Sequence, residues 1–217
     1  VDARGEKARR CKCAVVKKKQ DNLNRLFAAA GIPKRFKDKP LNSFDAQYQK
    51  GAWMIACRYV ERFREIRQEK KNGLCFIGPS GTGKSHLAYG ILSGLLAQAV
   101  PGICGTVPDI LDMLRPRQAE QANSQERLHA LKSLDIVILD DLGAERETPW
   151  VTERLYVIIN YRYNEILPTI ITSNQELEDL EKLPGWGRIV SRLFEMCHLI
   201  RMDGRDYRKG ESDAVSR

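Results

Sequence analysis

Two glycines, a lysine and a serine stand at the spacing G-x-x-x-x-G-K-S in residues 78–85, as Gly78, Gly83, Lys84 and Ser85 of "GPSGTGKSHLA". A strand that ends in a glycine-rich turn and opens a helix points several backbone N–H groups at one spot, backed by the helix N-terminus. That spot suits phosphate. Gly78, Gly81 and Gly83 permit the tight backbone path, Lys84 reaches toward β- and γ-phosphates, and the Ser85 hydroxyl is offered to Mg2+. The nucleotide-binding stretch is accordingly Gly78, Pro79, Ser80, Gly81, Thr82, Gly83, Lys84, Ser85 and His86.

Two further positions carry chemistry. "DIVILDDLG" sets Asp140 and Asp141 directly after an apolar run. An acid there can hold a metal bound to Ser85, and its neighbour can polarise an attacking water. Paired acids after a strand also cap the next helix, so the metal reading depends on the glycine loop beside them. Asn174 ends another apolar run, "TIITSN". Its side chain either meets a terminal phosphate or caps the helix that follows.

Positioning these groups needs strands that end together. Short apolar runs at 74–78, 102–107, 135–140, 168–174 and 198–202 alternate with helical stretches, the pattern of a parallel sheet flanked by helices. Upstream, Trp53, Ala56, Val60 and Phe63 recur at helical spacing and predict an amphipathic helix over 47–71. Residues 23–44 read as a short helix stopped by Gly31 and Pro33, then an extended linker. The polar stretch 115–128 reads as a loop leading into a helix. Residues 86–108 contain no Asp, Glu, Lys or Arg, but Ser93, Gln98 and Pro101-Gly102 interrupt them. A buried helix followed by a buried strand fits better than a membrane span.

The chain has 217 residues and a net charge of +8, unevenly spread. Residues 1–71 hold 20 Lys and Arg against 8 Asp and Glu, and the remainder hold 16 against 20. A basic arm on a near-neutral core suits nucleic acid or an acidic protein surface, although a solvated face produces the same count. Six scattered cysteines with no secretory signal ahead of them point to reduced thiols and a cytoplasmic protein. The expected organisation is a basic arm and linker at 1–44, a phosphate-binding α/β domain at 45–210 and a tail at 211–217.

Taken in order, "GPSGTGKSHLA", "VPDILDMLR", "DIVILDDLGAE", "TIITSN", "GRIVSRLFE" and "DYRKG" resemble the AAA+ ATPases of the DnaC/DnaI helicase-loader and IstB-like family, over about residues 11–209. The resemblance implies an α/β P-loop NTPase of AAA+ ASCE type. That is a three-layer sandwich with a parallel five-stranded sheet and no full helical lid, binding ATP with Mg2+ and working as assembled subunits. Position by position, Lys84 and Ser85 match Walker A, Asp140 the Walker B magnesium ligand and Asn174 sensor 1. Arg192 matches the arginine finger that reaches a neighbour's ATP, with Arg188 one turn away as the lesser candidate, and Arg208 resembles the sensor 2 arginine. Apart from the resemblance, the residues themselves favour a surface salt bridge or carboxylate partner for each arginine. Asp141 stands where many relatives carry Glu, which puts the geometry and speed of the catalytic base in question. Cys11 and Cys13 look like half of a zinc module, and two ligands do not close a tetrahedral site.

The implied function is a slow ATPase, stimulated by DNA or a partner, that loads a hexameric replicative helicase onto single-stranded DNA and self-associates through its ATPase interface, with no membrane role. Arg115, Arg117, Arg127 and Lys132 lie where such proteins commonly contact DNA, but they carry no distinguishing pattern and a solvated face reads the same. An IstB-like transposition helper shares every ATPase residue and differs in its partner. A small-molecule P-loop kinase and a nucleotide-dependent adaptor with negligible turnover are the readings from other classes.

Overall fold

The computed structural model describes residues 28–115, 121–204 and 206–207, together with Asp21 and Arg25. The arm up to residue 20, the Cys11 and Cys13 pair, Arg117 and Arg208 lie outside the described residues. The elements are α1 (Lys34–Lys37), a 3-10 turn (Leu41–Ser43), α2 (Lys50–Glu61), α3 (Phe63–Ile66), β1 (Gly73–Ile77), α4 (Lys84–Ala97), β2 (Gly102–Thr106) and α5 (Val107–Leu114). There follow α6 (Gln121–Ser133), β3 (Ile136–Leu142), α7 (Pro149–Asn164), β4 (Thr169–Ser173), α8 (Leu177–Glu181), α9 (Gly187–Met196) and β5 (Cys197–Arg201).

All five strands run parallel, in the order β2-β3-β4-β1-β5. Both faces of the sheet are covered, and this explains why its strands read as unbroken apolar runs. Successive side chains alternate between the two layers. Leu74, Phe76, Ile136, Ile138 and Ile170 pack with α2 and α4 residues such as Ala56, Leu87 and Leu92. Cys75, Ile77, Val137, Leu139 and Ile171 pack with Leu155, Ile158, Ile189 and Leu193 of α7 and α9. The five strands expected from the sequence are present, each within two residues of its predicted ends. The charge-free stretch from residue 86 supplies most of α4, whose buried residues include Leu87, Ile91, Leu92 and Leu95. Among the described residues, no helix is long and apolar enough to cross a membrane.

Three expectations change. The predicted helix over 47–71 is two helices, because the backbone turns at Arg62 and delivers Phe63 into the core at 1% exposure. The linker before it is not extended throughout. It contains α1 and the 3-10 turn, and Ile32, Phe36, Leu41 and Phe44 pack against the layer that holds α4. The polar stretch at 115–128 is already helical from Gln121.

Arg162 is the unusual core residue. It is fully buried on α7, and among the described residues no carboxylate hydrogen-bonds to it. Its Nη1 donates to the carbonyls of Leu131, Lys132 and Leu134, its Nη2 to that of Pro168, and its Nε to Thr169 Oγ1. One guanidinium thereby fastens the end of α6 and the start of β4. Burial lowers its pKa to about 9, which leaves it charged at neutral pH. An apolar side chain of similar length would abandon all five acceptors. Arg162→Met should therefore lower the unfolding free energy in urea by about 3 kcal/mol or more, and a loss under 1 kcal/mol would show that the acceptors are satisfied by other means.

Candidate nucleotide site

β1 ends at Ile77, and α4 begins at Lys84 with Gly83 as its N-cap in the left-handed region, φ 97°. Helices α5 and α7 are capped by the hydroxyls of Thr106 and Thr148, whereas α4 has no side-chain cap. Its first-turn N–H groups face the loop. The loop cannot accept larger residues. A Cβ on Gly81, at φ 82°, would overlap the Asp206 carboxylate, and one on Gly83 would strike the Phe44 ring. Thr82, buried, donates to the Pro79 carbonyl. Lys84 is also buried, and its ammonium donates to the carbonyls of Gly78 (2.6 Å) and Pro79 (2.7 Å). A polyphosphate entering the loop would have to draw the ammonium away from those carbonyls.

Above the loop lies a cavity of about 600 Å³. Ser80, Gly81, Gly83, Lys84, Ser85 and His86 form its floor, and Asp140, Asp141 and Asn174 one wall. Pro33, Arg35, Phe36 and Lys39 from the linker form another wall, with Tyr207 of the C-terminal segment opposite. The Tyr207 N–H donates to the Gly81 carbonyl at 3.1 Å, which ties that segment to the loop. His86 is half-buried, with its Nε2 3.4 Å from Ser43 Oγ and its ring edge-on to Phe44. Burial depresses its pKa, so at neutral pH it is an uncharged contact. Among the described residues, the positive charge lining the site comes from Lys84, Arg35 and Lys39.

The acid pair depends on a break in strand register. Between Leu139 and Leu142, two β3 residues, Asp140 and Asp141, stand opposite the single β4 residue Thr172. Simple alternation would send the two acids to opposite faces, but at this bulge both line the cavity. Asp141 takes the left-handed conformation, φ 56°, which aspartate and asparagine tolerate better than glutamate. Thr172 holds the bulge from below. Its hydroxyl donates to Asp140 Oδ1 at 2.5 Å and accepts from the Asp141 N–H at 2.9 Å.

The Asp140 carboxylate is buried and accepts two more hydroxyls: Ser85 Oγ on Oδ1 at 2.8 Å, and Tyr89 on Oδ2 at 2.6 Å. One carboxylate beside one hydroxyl is the sparse oxygen set that suits Mg2+, whose remaining positions go to phosphate and water. Ser85 and Asp140 would hold the ion, which would neutralise charge on the phosphates. Asn174 Nδ2 donates to Asp141 Oδ1 at 3.3 Å, joining those two side chains at the cavity wall. Tyr89 and Thr172 carried no mark in the sequence reading. The one available signal for Tyr89 was its place four residues after Ser85 on the same helix face.

The arginines sit elsewhere. Arg192 does not line the cavity. On α9 it donates from Nε to Asn160 Oδ1 at 2.9 Å and from Nη1 to the Arg188 carbonyl at 2.8 Å, and it lies over the rings of Tyr156 and Tyr163. Arg188 is exposed and borders a separate cavity of about 880 Å³ with Glu147, Tyr156 and Gly185. Arg115 lies over the Trp150 ring, Arg127 donates to the Met113 carbonyl and Lys132 lies over Tyr161. All three side chains therefore have contacts within the chain. The bulge itself is testable. Thr172→Val keeps the volume but leaves the half-buried Asp141 N–H without its acceptor and takes one donor from the buried Asp140 carboxylate, and should cost about 2 kcal/mol in chemical denaturation. Thr172→Ser should stay near wild type, and equal losses in the two variants would trace the effect to packing.

Comparison with known proteins agrees with this geometry. Residues 13–214 match the family described as IstB-like ATP binding protein. YqaM of Bacillus subtilis (strain 168) is 28% identical over 202 residues, covering 88% of this chain and 61% of YqaM, so the chain spans less than two thirds of that relative. The replicative helicase loader DnaC of Escherichia coli (strain K12) is 26% identical over 174 residues, 79% of this chain and 69% of that protein. A crystal structure of the DnaC helicase loader is similar with a TM-score of 0.67 and 29% identity, covering 79% of this chain and 100% of that one. Matched over nearly its whole length, the chain belongs to the IstB-like ATP binding proteins and has the AAA+ fold that its sheet order describes.

Proposed function

We propose that the chain hydrolyses ATP as an assembly of copies and that nucleotide switches its grip on a replicative helicase and on single-stranded DNA. The observation that carries the reading is the convergence of Lys84, Ser85, Asp140, Asp141 and Asn174 on one cavity above an uncapped helix N-terminus. Likeness to the DnaC loader supports the choice of partner. The family match favours a second reading in which the same ATPase serves transposition. Capture from source cells in the presence of ATP separates them: replicative helicase retained on the protein supports the first reading, and transposase the second.

In the proposed cycle, Lys84 moves from the loop carbonyls to the β- and γ-phosphates, which replaces two neutral acceptors with anionic ones. Ser85 and Asp140 hold Mg2+. Asp141 accepts a proton from the attacking water, and Asn174, hydrogen-bonded to Asp141, orients both. Arg208 is assigned to the phosphates as sensor 2. Arg192 completes the site of a neighbouring copy, and its contacts with Asn160, Tyr156 and Tyr163 keep it ordered until that neighbour arrives. ATP therefore joins subunits as well as filling a pocket.

Asp141→Asn is compatible with the left-handed backbone and removes only the base. Binding of a fluorescent ATP analogue with Mg2+ should stay within about threefold of wild type, while phosphate release falls by about 10²–10⁴. Parallel loss of binding and turnover would make Asp141 a structural residue. The trans geometry has its own test. Lys84→Ala and Arg192→Ala should each be nearly inactive, since an arginine finger is worth about 10³–10⁵ in rate. Mixing them should restore part of the hydrolysis at interfaces that join an intact loop to an intact finger. Mixtures that co-sediment yet stay inactive would return Arg192 to a helix-surface contact.

A further inference from the structure

The hydroxyl of Tyr89 is not explained by packing. Tyr89 is 2% exposed and lies within the apolar layer around α4. Phenylalanine would fill that volume without burying a polar group, and a buried tyrosine hydroxyl needs a partner. Its partner is Asp140 Oδ2, at 2.6 Å. The other carboxylate oxygen, Oδ1, takes both Ser85 and Thr172. Tyr89 is thus the donor that holds the second oxygen. The terminal torsion of an aspartate is soft and nearly two-fold, so donors on both oxygens are what fix the plane of the carboxylate.

The ring of Tyr89 is held in turn by the linker. Phe36 lies against it with centroids 4.8 Å apart and planes tilted by 46°. Phe36 belongs to α1, a single turn of sequence KRFK with no fully buried residue. Phe36 is its only apolar side chain and packs against the α4 layer. A contact chain runs from the linker through Phe36 and Tyr89 to Asp140. It ends on Oδ2, whereas Ser85 and Thr172 meet Oδ1.

We propose that Tyr89 is a positioning residue for the metal-holding carboxylate of Asp140, and that Phe36 couples the linker to it, so that displacement of the linker weakens the hold on Mg2+. The proposal rests on the assignment of Ser85 and Asp140 as the metal-holding pair. It extends that assignment to a tyrosine whose ring borders the same cavity and whose hydroxyl is committed to the Asp140 carboxylate. It also gives the segment preceding the core a physical route to the site. A partner that pulls α1 away would remove Phe36, free the Tyr89 ring and loosen the carboxylate, without touching the phosphate loop.

The test is the Mg2+ dependence of nucleotide binding. A fluorescent ATP analogue is titrated in EDTA and then at graded Mg2+ with wild type, Tyr89→Phe, Phe36→Ala, Phe36→Leu and the Tyr89→Phe/Phe36→Ala double variant. For Tyr89→Phe, affinity in EDTA should stay within about twofold, and the Mg2+ concentration for half-maximal tightening should rise about tenfold, as when an outer-shell partner of a metal ligand is lost. Phe36→Ala should raise it in the same direction, Phe36→Leu should largely retain the wild-type value, and the double variant should match Tyr89→Phe alone. An unchanged or lowered Mg2+ requirement in Tyr89→Phe overturns the positioning role. Additive effects in the double variant, or a Phe36→Ala change confined to EDTA, overturn the coupling. A wild-type protein that ignores Mg2+ overturns the metal assignment and this proposal with it, whereas a Mg2+-responsive wild type with an unaffected Tyr89→Phe strikes the proposal alone.

Discussion

One buried carboxylate has to face the phosphate loop, and much of the site is arranged around that requirement. Asp140 is 3% exposed and accepts hydroxyls from two elements, Ser85 and Tyr89 of α4 and Thr172 of β4. An unpaired carboxylate at that depth would cost several kcal/mol or give up its charge. Three hydroxyl donors satisfy both of its oxygens and leave it aimed at the loop. The sheet order follows the same logic. With β4 between β1 and β3, the threonine that pins the bulge stands directly between the phosphate loop and the acid pair.

Parallel strands leave their C-terminal ends on one edge, and the cavity sits there, as in other open α/β sheets. Two segments from opposite ends of the chain close it: the linker bearing Phe36 and Phe44, and residues 206–207 against Gly81. Arg192 belongs to the layer of α7 and α9, held by Asn160 and two tyrosines outside the cavity lining. A phosphate-binding cavity and an ordered arginine in different layers of one chain make sense if copies associate, each supplying what the next lacks.

The sheet was legible because a strand buried on both faces has no polar alternation to obscure it. "DIVIL" and "TIITS" could be little else between turn residues. The phosphate loop was legible because its conformation demands glycine at set positions. The bulge at Asp140 and Asp141 was not, since Thr172, the residue that creates it, is an ordinary β-former. Nor was the break at Arg62, where an amphipathic pattern continues across a backbone turn. The linker read as extended because Gly31, Pro33 and Pro40 punctuate it, and the packing of Phe36 and Phe44 overrode that local signal. Tyr156, Asn160 and Tyr163 share one face of α7 at helical spacing, a pattern common to any packed helix.

The central claim is that the cluster around Asp140 is a metal site already assembled before nucleotide arrives. It is met most directly by determining the structure of this chain with Mg2+ and a non-hydrolysable ATP analogue. The expected result has the Lys84 ammonium moved from the Gly78 and Pro79 carbonyls to the terminal phosphates. Ser85 and Asp140 would then flank the ion, with Tyr89 and Thr172 still donating to the same carboxylate oxygens. An analogue bound while Lys84 stays on those carbonyls, or an ion held away from Asp140, would contradict it.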